Sequence, residues 1–239
     1  MLMSGSEQQG PRGRVAQGER TRAAILRAAV DLASIEGLEG LTIGRLSTEL
    51  AMSKSGLFAH FGSKEELQLA TIEAARAIFI EEVVRPVLES SERGLPRIWE
   101  LCERWTEYAQ RGVFKGGCFF AAASSEFDGR PGPVRDRIAE IMLEWLAALE
   151  RGVREAQEIG HLDAKADPRQ IAFEFNALEM AGNWAFQLYG DLKAFTRARE
   201  AIRERLRSAA TAQAPPIASL GTARREGKLS SFARSSSNE

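Results

Sequence analysis

Two cysteines, Cys102 and Cys118, and two histidines, His60 and His161, are all that this 239-residue chain has of the residues that most often bind metals or act as nucleophile and base. Two cysteines exclude a disulfide framework and fit a reducing compartment. Neither pair has zinc-site spacing, so no metal or cofactor is expected. No apolar run approaches the ~18–20 residues of a membrane span. The opening MLMSGSEQQGPRGR lacks the apolar stretch of a secretory signal. The expectation is a cytoplasmic protein without membrane contact.

What is present is ordinary globular composition, 44% hydrophobic and 27% charged, on a chain long enough to bury a core without staples. The net charge is −1, unevenly spread. Residues 1–64 carry eight basic against six acidic residues, residues 65–211 carry 20 against 25, and residues 212–239 carry four against two. From Pro11 to Arg27 the basic residues Arg12, Arg14, Arg20, Arg22 and Arg27 face Glu19 alone. A basic head on an acidic body points to an anionic partner at the head.

Strand alternation is absent, and Ala, Leu, Glu and Arg dominate, so an all-α fold is predicted. Residues 1–18 read as a disordered basic arm and 212–239 as a disordered tail. A first helix is predicted from about Arg20 to Glu36, with Ile25, Ala29, Leu32 and Ala33 on one face and Gly37 ending it. Thr42 caps a short helix to Leu50, and Ser53 caps another over Lys54–His60. Ser63-Lys64-Glu65-Glu66 reads as a capping box opening a long helix that Pro86 should end or kink. Further helices follow from about Leu95, Gly116, Pro133, Pro168 and Leu192.

One long and two short helices with a turn of about three residues form a helix-turn-helix pattern. On the second short helix, Leu57 and Phe61 should pack inward on Leu46 and Leu50. Lys54, Ser55, Gly56 and Ala59 should face outward, small enough for the helix to enter a major groove. The helix start can take a phosphate, and Lys64 can meet a second one.

The stretch from about Thr21 to Leu67 resembles the DNA-binding domain of TetR-type transcriptional regulators. The resemblance rests on Thr42-Ile43, Leu46, Ser53-Lys54, Leu57-Phe58, His60-Phe61 and Ser63-Lys64-Glu65-Glu66-Leu67. It implies residues 19–65 as the DNA-binding domain and 66–211 as a helical ligand-binding and dimerisation domain. It also implies DNA contacts from Thr42, Ser53, Lys54, Ser55, Gly56, Phe58, His60 and Lys64. The sequence departs from the family pattern at Ala51, where glycine is usual in the turn, at Gly56, where threonine is more frequent, and at Phe58, where a phosphate-binding tyrosine is usual. If the turn needs positive φ, Ala51 costs roughly 1 kcal/mol.

The helix from Pro168 is apolar on two sides, which suits one face on its own core and another on a partner subunit. Phe173, Ala177, Met180 and Trp184, with Ile202 and Leu206 on the last helix, are the expected dimer contacts, in a four-helix interface that the resemblance also implies. A homodimer suits a pseudo-palindromic site in double-stranded DNA. The resemblance further implies an effector pocket, for which Trp99, Cys102, Trp105, Phe119, Phe120, Phe173, Glu179, Asn183 and Trp184 are candidates. The aromatic content points to a small hydrophobic or aromatic effector. Glu179 and Asn183, one turn apart on an apolar helix, would need partners if they face inward.

The expected function is a ligand-responsive dimeric DNA-binding regulator, more in keeping with a repressor. The alternatives are a helical enzyme, for which no Ser/His/Asp or Cys/His set presents itself, and an interaction module without sequence-specific DNA binding. Glu155, Glu158 and His161 share a helical spacing that a metal could use.

Overall fold

The computed structural model describes residues 11–217. Among these, every regular element is helical, and an isolated antiparallel bridge pairs Leu162 with Ala210. The helices are α1 (Pro11–Glu36), α2 (Ile43–Leu50), α3 (Lys54–Phe58), α4 (Lys64–Phe79), α5 (Arg85–Ser90), α6 (Leu95–Gln110), α7 (Phe119–Phe127), α8 (Pro133–Glu158), α9 (Pro168–Tyr189) and α10 (Lys193–Ala209). A π-helical turn, Ile80–Val84, joins α4 to α5.

The head is built from α1, α2, α3 and the start of α4. Ile25, Ala29, Leu38, Leu41, Leu46, Leu57, Phe61 and Leu67 fill its core, each at most 2% exposed. Leu57 and Phe61 point inward on Leu46 as their spacing requires, and Leu50 packs at the edge. The body is formed by α6 to α10 around Ile98, Tyr108, Phe119, Leu149, Phe175 and Phe195. Helix α4 belongs to both, so the expected boundary at residue 65 falls inside a continuous element. Its Leu67 lies in the head's core, and its Phe79 packs edge-on against Tyr108 and Trp145 of the body.

Three local expectations differ from what is seen. Helix α1 starts at Pro11, not Arg20, so the part of the basic arm from 11 to 18 is helical; the rest of the arm lies outside the described residues. Proline suits a helix start because its missing N–H needs no partner there. Pro86 does not stop the helical run, which continues to Ser90. Ahead of it the Arg85 N–H bonds to the Ile80 carbonyl, five residues back. This wider turn accommodates the proline ring and the hydrogen bond it cannot make. The expected tail is packed at its start: Ile217 is buried, and the Ala214 N–H reaches the Thr211 carbonyl at 3.2 Å. The remainder of that tail lies outside the described residues.

Candidate nucleic-acid interface

Each short helix of the head is held by a side-chain cap. Thr42 Oγ1 accepts from the Arg45 N–H at 3.0 Å, and Ser53 Oγ from the Gly56 N–H at 3.1 Å. Ser63 Oγ caps α4 by accepting from Glu66 at 3.0 Å. The Glu66 carboxylate returns to the Gly62 N–H at 2.8 Å, one residue earlier than a capping box would have it. Between α2 and α3 the chain turns through Ala51 at φ 51°, ψ 34°. Among the described residues it is the one non-glycine with positive φ. The turn therefore does need the left-handed region, and alanine is strained there by about 1 kcal/mol.

The outward side of the head gathers most of the expected contacts. Thr42, Ser53, Lys54, Ser55, Phe58 and Ala59 are exposed, and Gly56 and His60 are half-buried. Lys54 folds back over the start of α2, where a Cβ on Gly44 would lie 3.8 Å from both Lys54 Nζ and Thr42 Oγ1. Thr42 Oγ1 accepts its capping bond, and its O–H donates to no partner among the described residues. A hydroxyl, an ammonium and the open first turn of an eight-residue helix thus share one spot, as an anion requires. Phe58 is 54% exposed, a large apolar ring held out on α3. Helix α3 has only five residues and ends at Phe58, with Ala59 and His60 in the following turn. It offers side chains rather than a sizeable helix dipole.

Lys64, expected to meet a phosphate, is already paired within the protein. Its Nζ lies 2.7 Å from Glu39 Oε1, so the anion that its helix-start position calls for is supplied from within. Glu39 also meets Gln68 Nε2 at 3.4 Å and Arg130 at 3.6 Å, and the Lys64 hydrogen bond first, with Gln68 and Arg130 after it, holds its carboxyl below the usual range. Nearby, the Glu126 carboxylate of α7 accepts from the Leu38 and Glu39 N–H groups at 2.7 and 3.0 Å. Near the end of α1, Gly116 sits so close that a Cβ there would lie 1.7 Å from the Ser34 carbonyl oxygen. The body therefore meets the head at two points around the end of α1.

A cavity of about 670 Å³ lies in the body against the far end of α4. Its inner wall is aromatic, with Phe79, Trp105, Phe120 and Trp145, and Leu143, Glu140 and Arg151 lie on exposed ground. Of the residues expected to form a pocket, only Trp105 and Phe120 line it. Trp99 is instead buried under the Arg203 guanidinium, 4.8 Å from its ring centre. Asn183 Oδ1 accepts from the Cys118 N–H at 3.2 Å and anchors the start of α7. Phe119 is plain core, in edge contact with Phe114 and Phe120. Cys102 and Glu179 are buried beside each other off the cavity wall. Phe173 and Trp184 are exposed on α9. The missed lining residues sit on α4, the π-helical turn, α8 and α9, with Cys118 at the start of α7; the apolar spacing of Ile141 and Trp145 is the signal that would have exposed the α8 wall.

Residues 25–71 match the family described as bacterial regulatory proteins, tetR family. Residues 94–202 match the tetracyclin repressor-like, C-terminal domain. The chain belongs to the TetR family of transcriptional regulators. The HTH-type transcriptional repressor NicS of Pseudomonas putida is 35% identical over 101 residues, which span 40% of this chain and 48% of that protein, about half its length. A TetR transcriptional regulator from Chloroflexus aurantiacus shares the fold at a TM-score of 0.73 and 20% identity, covering 82% of this chain and 98% of that one. AibR, solved in complex with isovaleryl coenzyme A and operator DNA, shares it at 0.63 and 24% identity, covering 77% and 97%.

In this TetR-family chain the expected dimer residues divide. Ile202 and Leu206 are at most 1% exposed and belong to the protomer's own core, because α10 turns that stripe onto the body. Met180 is half-buried and lines the cavity. Phe173, Ala177 and Trp184 are exposed along one side of α9, continued by Ala181 and Leu188. The Glu155, Glu158 and His161 trio is divided as well. Glu155 pairs with Arg93 at 2.5 Å and Arg97 at 3.1 Å, and His161 Nδ1 accepts from the Leu95 N–H at 3.2 Å.

Proposed function

We propose that this TetR-family regulator is a dimeric repressor that reads a pseudo-palindromic duplex through α3 and is released when a small effector fills the body cavity. The observation that carries the reading is the shared outward surface of Thr42, Ser53, Lys54, Ser55 and Phe58 on a head with a buried core of its own. Thr42 and Lys54 take one backbone phosphate at the start of α2. Ser53 and Ser55 lie where base edges or phosphates can meet their hydroxyls. Phe58 cannot donate to a phosphate; its ring suits a thymine methyl or a sugar. Gly56 leaves room for the approach, and His60 faces the backbone.

The dimer forms through the exposed α9 stripe of Phe173, Ala177 and Trp184, since a contiguous apolar helix face of this kind marks an interface. NicS is a named repressor, and AibR was solved holding both operator DNA and an acyl coenzyme A; both support the reading. Arg76, Phe79, Ile80 and Val84 place one continuous helical run on the cavity wall, and the same run starts at the head. An occupant that repacks this wall favours one head position over another, which is how a ligand shifts a two-state equilibrium.

Duplex binding followed by fluorescence anisotropy across a salt series tests the reading. Wild-type protein binds with an affinity that falls steeply with salt, and Lys54→Gln reduces the log–log slope by about 1. A slope unchanged by Lys54→Gln removes Lys54 from the interface, and no salt-sensitive binding at all sinks the regulator reading.

A further inference from the structure

The cavity lining holds two arginines and two glutamates, and one of the arginines is left without a carboxylate partner. Glu144 is held by Arg76 at 2.8 Å, and Glu140 by Arg137 at 2.8 Å. Arg151, also on α8, has no carboxylate partner among the described residues. The acids that its own helix offers are already taken. Glu150 is held by Arg154 at 2.6 Å and Arg169 at 3.5 Å. Glu155, four residues on, is held by Arg93 and Arg97 of the α6 region. Asn176 of α9 shares the lining and makes no side-chain hydrogen bond among the described residues. Everything else inside is aromatic or aliphatic apart from Cys118.

We propose that the cavity selects an organic anion with an apolar body, an aryl- or alkyl-carboxylate, whose acid group meets Arg151 and Asn176 while its body lies among Phe79, Trp105, Phe120 and Trp145. This rests on the effector reading above and names the class of effector. A cation finds no free carboxylate on this wall. A neutral apolar molecule gains the aromatic contacts but leaves Arg151 without a counter-charge, and a guanidinium–carboxylate bond is about twice as strong as a neutral one. The volume, about 670 Å³, falls in the range of small-molecule sites and leaves room for an aryl-substituted short-chain acid. Arg151 is a charge-selecting residue here.

A matched set isolates the charge: 4-phenylbutyrate, 4-phenylbutanol and 4-phenylbutylamine, titrated into the full-length protein with tryptophan fluorescence as readout. Trp105 and Trp145 on the wall report occupancy directly. The acid is expected to bind saturably, about tenfold tighter than the alcohol and more tightly still than the amine. Arg151→Gln, an exposed change that leaves the fold intact by thermal melting, is expected to weaken the acid about fivefold and leave the alcohol unchanged. No saturable binding of the acid, equal binding of the amine, or indifference of the acid to Arg151→Gln overturns the proposal. Duplex binding on the same sample separates the two levels: its absence sinks the regulator reading, whereas its presence with no preference for the acid sinks only the effector class.

Discussion

Lys64 Nζ sits 2.7 Å from Glu39 Oε1, across the junction where the head meets α4. The lysine expected to reach DNA is thus already in an ion pair, and Glu39 is in turn tied to Gln68 and to Arg130 of the body. Both partners are about two-fifths exposed, so water and salt screen the pair and a phosphate can displace the carboxylate. Glu39→Gln should tighten duplex binding about fivefold by freeing Lys64 and removing a negative charge beside the phosphates. Adding Lys64→Gln should abolish that gain, and anisotropy titrations of the single and double variants check both. An unchanged affinity in Glu39→Gln would show that Lys64 serves the head's structure and not the duplex.

Ala51 holds a left-handed backbone that glycine adopts without strain. Ala51→Gly should raise stability by up to about 0.5 kcal/mol, less than the full strain because glycine also loosens the unfolded chain. Thermal or denaturant melting measures this. Duplex affinity should stay constant, since the turn keeps its shape.

Glu179 is fully buried beside Cys102 and Trp145, with neither carboxyl oxygen in a hydrogen bond of good geometry. Burial holds its acid protonated, well above the ordinary value of 4.5. The folded state therefore keeps a proton that the unfolded state releases. Stability from this group is complete below about pH 4.5 and is lost as pH rises toward the folded value. Glu179→Gln should flatten the decline of melting temperature with pH above that point and match or exceed wild type at pH 8. A steeper decline in the variant would contradict the assignment.

Trp184 is 57% exposed and Phe173 61% exposed on the same side of α9, whereas Ile202 is 1% exposed. Trp184→Glu should yield a folded monomer by light scattering with unchanged helical content. Ile202→Glu should unfold the body instead, because it puts a charge into the core. A Trp184→Glu protein that stays dimeric would place the interface elsewhere.

Most of the helical architecture was legible from caps and periodicity, because Thr42, Ser53, Ser63 and Asp167 mark helix starts by local chemistry. The strain at Ala51 was legible too, once its place in a tight turn was seen. The cavity was not. Its wall combines residues from α4, α6, α8 and α9, and helical periodicity reports that a side chain faces inward without reporting which others it meets. Phe79, Trp145 and Trp99 are all apolar and periodic, yet only the first two line the cavity. Ile202 and Leu206 show the same limit: an apolar stripe looks alike whether it covers its own core or a partner. Lys64 shows it for charge, since Glu39 is 25 residues away in sequence.

Selection of bound sequences from a random duplex library at ~100 mM salt, where nonspecific phosphate binding is weakened, tests the central claim most directly. The expected result is an enriched inverted repeat, with half-sites related by the twofold axis of the dimer. A folded dimer that enriches no sequence would contradict it.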